Sequence, residues 1–410
     1  MSQIVKIAFR NLYRQRRRTG LTVSIIAFGV IAVIIFSSLA GSFKNMMISQ
    51  ITDSMLGHLQ IHRAGYVESL DTMPMNLMID QADLEKIEKL LKETEEIEGY
   101  SLRILLATLL SNYLDTTNIK LSAIDPEPEK VVTPLLNGRI NQGKFLKSGE
   151  ILLPNLVARG LEMAVGSEAV VIATNVDGSV NGTSLIVSGI VETTVGPSGK
   201  YGYIHIDDAR SLLRMESAQV SEIAIRLKNI DKLSKVMQKL KTGMESIKDE
   251  KGQPKFEVHP WKALSPFNNI AVMIDLMTIF IQIILVTIVL ISIMNVMLMA
   301  VYERTKEIGT IAAIGTLPSA IMSLFICEGL FLGILGAAVG NVVGAILVFA
   351  VKAAKMTISF GQSDNILLNP EISMATVLWT SLIVIFITLL GAIEPAWKAS
   401  RLDPVEALRN

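Results

Sequence analysis

Apolar residues are concentrated in blocks along this chain. Residues 21–42 form an uncharged, mostly aliphatic run of 22 residues, followed much later by uncharged runs at 276–301, 329–351 and 373–393. At about 1.5 Å per residue, 22 helical residues reach about 33 Å, enough to cross a hydrocarbon layer about 30 Å thick. Soluble cores rarely supply four uncharged runs of this length, so the pattern predicts four transmembrane helices. A further uncharged stretch, 308–327, competes as a fifth crossing. It contains Gly309, Gly315 and the turn-like GTLPS with Pro318, which predicts a short helix, a turn, and the start of the third crossing near Ala320. Glu328 then falls inside the third helix, where a charge costs about 2.5–3.5 kcal/mol at the bilayer centre. It must face protein, be protonated, or lie near the inner boundary.

Between the first two spans the pattern changes to that of a globular domain. The apolar positions Leu84, Ile87, Leu90, Leu91 and Thr94 predict an amphipathic helix over 83–98. The runs RILLATLL, NIKLSAI, EAVVIAT, SLIVSGIV, YGYIHI and SEIAIRL predict strands, with VDGSVNGTS as a hairpin turn and a second amphipathic segment over 230–240. Strands mixed with helices imply an α+β domain inserted between the first and second crossings.

Composition agrees with this division. Half the residues are apolar, 19% are charged and the mean hydropathy is +0.46, against about 25% charged in an ordinary soluble chain. The formal charge is zero, 38 basic against 38 acidic residues, which removes a global basic bias toward nucleic acid. That zero averages unlike regions: residues 1–42 hold six basic and no acidic groups, 43–269 hold 25 against 29, and 270–410 hold seven against nine. Arg10, Arg14, Arg16, Arg17 and Arg18 crowd the start of the first span, so the N-terminus is expected to be cytoplasmic. Val5, Ala8, Phe9 and Leu12 share helical spacing ahead of it and predict an amphipathic helix on the inner leaflet. Read as a signal peptide, with Ser38 and Ala40 at cleavage spacing, the same segment has too long an apolar run. The single cysteine, Cys327, excludes an intrachain disulfide framework.

Catalytic patterns are absent from the sequence: GxxxxGK[ST], GxSxG and HExxH do not occur. His58 and His62 stand four apart, a spacing that suits a metal pair on a helix, but the intervening Leu59 and Ile61 favour a strand without further ligands. Asp125, Glu127 and KETEEIE read as solvated surface. In the third span Gly336, Gly340 and Gly344 form overlapping GxxxG spacings that let another helix approach closely. Gln282, Asn295 and Asn341 are placed to hydrogen-bond between helices. Met273, Met277, Met294, Met297 and Met299 make the second span rich in adaptable side chains, as core filler or as a surface for an apolar substrate.

One crossing, a large inserted domain and three further crossings, with the strings MNVMLMAVYERTKEIGTIAAIG and EPAWKASRLDPVEALRN, resemble the FtsX-like permeases of the MacB and LolC/LolE type. RNLYRQRRRTGLT, GRINQGKFLKSGEILLPNLVARGLEMAVGSEAVV and Trp261 ahead of the second crossing extend the resemblance over nearly the whole chain. It implies an α-helical membrane protein carrying a MacB-type periplasmic core domain. The implied division is an N-terminal helix at 1–20, spans at 21–45, 269–302, 319–351 and 373–394, the extracytoplasmic domain at 46–268, a coupling helix and turn at 303–318, an extracytoplasmic loop at 352–372 and a cytoplasmic tail at 395–410.

The resemblance also implies a role. The chain would be the transport half of a mechanotransmission ABC transporter in the inner membrane, itself no enzyme, with ATP and Mg bound by a separate ATPase present in two copies. A second permease, identical or homologous, would complete the complex. ERTKEIG would dock the ATPase through Glu303, Arg304, Lys306 and Glu307, with Gly309 and Gly315 shaping the helix and turn. Substrate would arrive laterally from the outer leaflet, making Phe36, Leu39, Phe43, Met277, Phe280 and Ile284 candidate cavity residues. Separate-ATPase architecture and the opening GHLQIHRAGY of the inserted domain favour release of lipoproteins to a periplasmic carrier. The alternatives are MacB-like efflux of peptides or drugs with a periplasmic adaptor, and FtsX-like control of a cell-wall hydrolase, in which the external domain is much smaller.

Overall fold

The computed structural model describes residues 3–70, 72–175, 177–192, 199–249, 251–264, 268–360 and 363–409. Helices α1 (Gln3–Arg14) and α2 (Arg16–Ile51) lead into β1 (Leu59–Arg63), α3 (Gln81–Lys92), β2 (Ile97–Ser111) and β3 (Thr116–Ile124). Next come α4 (Pro126–Val132), α5 (Pro134–Gly138), β4 (Ile140–Gly143), β5 (Glu150–Pro154), α6 (Asn155–Gly160), β6 (Glu168–Thr174) and β7 (Val180–Val191). The domain ends with β8 (Tyr201–His205), α7 (Ile206–Leu212), β9 (Glu222–Leu227), α8 (Leu233–Met244), β10 (Phe256–Pro260) and α9 (Trp261–Leu264). The remaining elements are α10 (Asn268–Glu303), α11 (Thr305–Ala313), α12 (Pro318–Ala353), the strands β11 (Thr357–Phe360) and β12 (Ser363–Leu367), α13 (Met374–Ser400) and α14 (Pro404–Arg409). Two compact units result: Met1–Asn45, Ala271–Ile358 and Leu367–Asn410 form one, Met46–Ile270 and Ser359–Ile366 the other.

In the first unit, α2, α10, α12 and α13 are long and apolar enough to cross a membrane. Each of the first three has 36 residues, about 54 Å of helix against a core of about 30 Å. Their directions follow from their contacts. Gly336, Gly340 and Gly344 of α12 lie against Ile26, Val30 and Ile34 of α2 in the same order, so these two helices run parallel. Gly329 and Gly333 face Ala392 and Thr388 of α13, and Asn341 Nδ2 donates to Ser381 Oγ at 2.7 Å, so α12 and α13 are antiparallel. A Cβ at Gly340 would stand 2.6 Å from Val30 Cβ and 3.0 Å from the Ala27 carbonyl oxygen. The glycine stripe thus replaces side chain by direct backbone approach.

The segment 308–327 is not one helix. The nine-residue α11 is about 14 Å long, too short to cross. It ends at a turn where Gly315 takes φ +98°, a region that costs side-chain-bearing residues. Leu317 is extended and Pro318 opens α12 at its first turn, where the missing N–H is not needed. Four expectations are corrected. The helix expected over 83–98 stops at Lys92, because Thr94 turns its hydroxyl back onto the Leu90 carbonyl and Ile97 already begins β2. The hairpin turn is shorter than VDGSVNGTS: Asn175 and Ser179 close it and β7 begins at Val180. The fourth long helix also continues past 394 to Ser400, and 357–360 pairs with 363–367 in a two-stranded sheet where a plain loop was expected.

The second unit is built on a mixed sheet in the order β10-β1-β9-β2-β3-β8-β5-β7-β4, with β6 joining β2 and β7. Pairing is antiparallel except for β3 with β8 and β5 with β7. One core collects Leu59, Ile61, Ile104, Leu110, Ile119 and Ile223 from the strands with Ile87 and Leu91 of α3 and Leu240 of α8. A smaller core holds Ile124, Leu136, Leu146, Leu152 and Val191.

Candidate functional site

Within the first unit, α1, the foot of α2, the end of α10, α11 and the start of α12 converge on one polar cluster. Glu328 is only 6% exposed. Its Oε1 accepts from Asn11 Nδ2 of α1 at 2.8 Å and from the Arg304 guanidinium at 3.2 Å. Of the three ways to tolerate a carboxyl in this helix, the structure shows the first: it faces protein donors. Arg304 caps the join between α10 and α11. Its Nε donates to Glu307 Oε2 at 3.1 Å, and its guanidinium lies 6.0 Å from the centre of the Phe325 ring.

Arg18 completes the cluster by donating to the Val296 carbonyl and pairing with Glu303 at 3.6 Å, while Arg14 approaches Glu307 at 3.8 Å. Arg14, Arg18 and Arg304 therefore balance Glu303, Glu307 and Glu328, three cations against three anions. A cavity of about 20 Å³, roughly the size of one water molecule, opens among Asn11, Gln15, Arg18, Arg304 and Glu328.

Of the expected docking residues, Glu303, Arg304 and Glu307 belong to this cluster. Lys306 and Glu307 are exposed, whereas Gly309 is buried against α14, where a Cβ would meet Ala407 Cβ at 2.6 Å. The C-terminal helix thus braces α11 from behind. Helix α1 meets α12 through Asn11 and α11 through Arg14, and α14 meets α11 through Ala407, so all three gather at the same end of this unit.

The expected cavity residues do not converge within one chain. Along α2 and α10 the contacts Gly29 with Val289, Ser37 with Gln282 at 2.7 Å, and Lys44 with Asp275 at 2.6 Å define an antiparallel seam. Gln282 and Asp275 are seven residues apart, as are Ser37 and Lys44, a near-whole number of helical turns. At about 100° per residue, Met277, Phe280 and Ile284 lie on the opposite side of α10 and are exposed. Phe36 and Phe43 share a flank of α2 and, like Leu39, are half-buried. The methionines divide likewise: Met297 is buried, while Met273, Met277 and Met299 are exposed.

The second unit contains a polar centre that pattern reading missed. Arg103 on β2, 4% exposed, grips Glu129 of α4 with two hydrogen bonds of 3.0 and 2.7 Å. It also donates to Glu222 of β9 at 2.9 Å and to the Met55 carbonyl at 2.7 Å. His62 Nε2 lies 3.4 Å from Glu222, and its ring stacks on Tyr66. Burial raises the Glu222 pKa, but the His62 hydrogen bond and the Arg103 charge outweigh it and hold the carboxyl below its ordinary value. Burial pushes the Tyr203 phenol up to about 12. His58, which shares its strand end with the metal-pair reading, instead accepts from the Leu227 N–H and approaches Asp53. Among the described residues no group of three or more metal-ligating side chains forms a site.

Comparison with known proteins supplies the context. The profile of the MacB-like periplasmic core domain matches residues 19–242, more than half of the chain, and that of the FtsX-like permease C-terminal region matches residues 279–404. The lipoprotein-releasing system transmembrane protein LolC of Neisseria meningitidis is 25% identical over 95% of this chain and 94% of its own length. The macrolide export ATP-binding/permease protein MacB of Hyphomonas neptunium is 37% identical, over 28% of this chain and 16% of its own length. The periplasmic region of MacB from Actinobacillus actinomycetemcomitans covers 51% of this chain and 92% of its own, at 12% identity and a TM-score of 0.37.

Proposed function

Because the chain belongs to the FtsX-like ABC transporter permeases with a MacB-like periplasmic core domain, we propose that it extracts lipoproteins from the outer leaflet of the inner membrane. In this reading a separate ATPase drives it through α11, and the second unit, standing outside the cytoplasm, passes the substrate to a periplasmic carrier. The observation that carries the proposal is the match to LolC over nearly the full length of both chains. In this reading hydrolysis belongs to the partner, as the match to the permease LolC along nearly its whole length supports. The arginines at the end of α1 and the start of α2 support a cytoplasmic location for the shared end of α1, α11 and α14.

The mechanics follow from rigidity. A short helix held from behind by Ala407 and from the side by Arg304 cannot be pushed without moving its supports. Glu303, Lys306 and Glu307 would present charges to the ATPase, and closure of two ATPases would move α2 and α10 of paired permeases. The Ser37–Gln282 and Lys44–Asp275 pairs would hold these helices together until the stroke separates them. The exposed side of α10 with Met277, Phe280 and Ile284 would face a second permease or the acyl chains of a substrate. The higher local identity to MacB, 37% over a short segment, supports efflux with a periplasmic adaptor as the second reading.

The test is purification of the chain with a partner ABC ATPase from the same organism, then reconstitution in liposomes holding a triacylated protein and a soluble lipid-binding acceptor. ATP-dependent transfer of the acylated protein supports lipoprotein release. Transfer of peptide or drug alone, with no acylated protein moved, overturns it in favour of efflux.

A further inference from the structure

Glu328 takes no part in the docking surface, yet it is the most deeply placed ion-paired acid among the described residues of the membrane helices. An ionisable group in such a helix is expensive and is retained where it performs a function with a defined partner. Here one carboxylate oxygen receives both Asn11 of α1 and Arg304 at the head of α11. Arg304 is itself 12% exposed at the side chain and held on three sides, by Glu328, Glu307 and the Phe325 ring.

We propose that Glu328 is a positioning residue that, through Arg304 and Asn11, locks the amphipathic helix α1 and the start of α12 to α11, so that the three move as one body during the ATP cycle. The inference rests on the coupling role proposed above for α11 and adds a second moving element. Helix α1 is more than a membrane float: it is the lever by which displacement of α11 reaches α2, whose foot is tied in by Arg18 to Glu303 and the Val296 carbonyl. Without the carboxylate charge, Arg304 keeps the exposed Glu307 as its one anionic partner among the described residues, and Asn11 loses its charged acceptor. The coupling helix can then tilt without carrying α1.

The direct test measures whether α1 and α11 move together. Tyr13 and Ile314 are 65% and 81% exposed, so Tyr13→Cys and Ile314→Cys in a Cys327→Ala background accept spin labels at the two ends of the lock. In the reconstituted complex with its ATPase, the expected result is one narrow distance, the same with and without trapped nucleotide. With Glu328→Gln, which keeps the shape but not the charge, the distance broadens and shifts when nucleotide binds. The same variant should keep the ATPase bound and hydrolysing while transport per ATP falls about tenfold, within the usual 5–150-fold range of site coupling. Asn11→Leu, which cuts only the α1 contact, should reproduce the broadened distance, and it decides the matter if Glu328→Gln is not recovered in monodisperse form.

A distance that changes with nucleotide in the unaltered pair, or unchanged distance and transport in both variants, overturns the proposal. An unaltered chain that binds no ATPase would instead overturn the coupling reading on which it rests.

Discussion

Replacing Arg103 by methionine should destabilise the second unit severely. The guanidinium makes four hydrogen bonds, two to Glu129 and one each to Glu222 and the Met55 carbonyl, in surroundings where all three charged side chains are no more than 5% exposed. Arg103→Met leaves two buried carboxylates without the guanidinium they share, and only Glu222 keeps a neighbouring imidazole, that of His62. Breaking a buried pair from one side costs about 3–5 kcal/mol. For a unit of this size each kcal/mol lowers the melting temperature by about 2–4 °C, so the expected fall is about 6–20 °C. Calorimetry of the full chain in detergent gives the shift, and hydrogen–deuterium exchange in peptides from β2 and β9 assigns it to this unit. Arg103→Met with Glu129→Gln and Glu222→Gln removes the stranded charge and should lose less than the single variant. A single variant that melts within about 1 °C of the parent would refute the reasoning, because that is less than the change expected for 1 kcal/mol.

The same centre gives the unit an acid limit. The Glu222 carboxyl is held below its ordinary value near 4.5, so its contribution is complete above that pH and is lost as pH falls through the lower folded value; a pH titration of the melting temperature should show the loss, and Glu222→Gln should abolish that part of it. Glu307→Lys should reverse a charge on the exposed side of α11 and reduce both ATPase co-purification and transport, and full retention of both would remove Glu307 from the docking role. Gly340→Leu should force α2 and α12 apart at Val30 and Ala27, at about 1–3 kcal/mol of overpacking, seen as a lower melting temperature of the detergent-solubilised chain; an unchanged value would show that the helices separate freely there. Gly315→Ala should strain the turn at φ +98° and destabilise by more than about 1 kcal/mol, measured as faster proteolysis between α11 and α12.

Local signals were readable where the chain carries its own punctuation. The uncharged runs marked the four long helices, and Gly315 with Pro318 marked the break that prevents 308–327 from crossing. The strands of the second unit were readable from alternation, but their order was not, since β3 pairs in parallel with β8 across some 80 residues of chain. The end of α3 was misread because Glu95, Glu96 and Glu98 continue a polar face that, in the structure, belongs to a turn and the start of β2.

Long-range polar partners were invisible in the same way. Glu129 lies two residues beyond Glu127 in one short acidic string, yet one is buried under Arg103 and the other is exposed. Glu328 could be flagged as costly in a membrane helix, but its partner Asn11 stands 317 positions away. The six cavity candidates follow from the resemblance alone, and rotation about the α10 axis turns Met277, Phe280 and Ile284 away from the seam with α2.

Whether ATP hydrolysis by a partner drives this chain to release an acylated protein can be measured directly. The chain and its ATPase, reconstituted in liposomes with a fluorescent triacylated protein and a soluble acceptor, should transfer that protein to the acceptor only when ATP is hydrolysed, and Glu307→Lys should reduce the transfer. Failure of the unaltered chain to retain any ATPase, or transfer at the same rate without ATP, would contradict it.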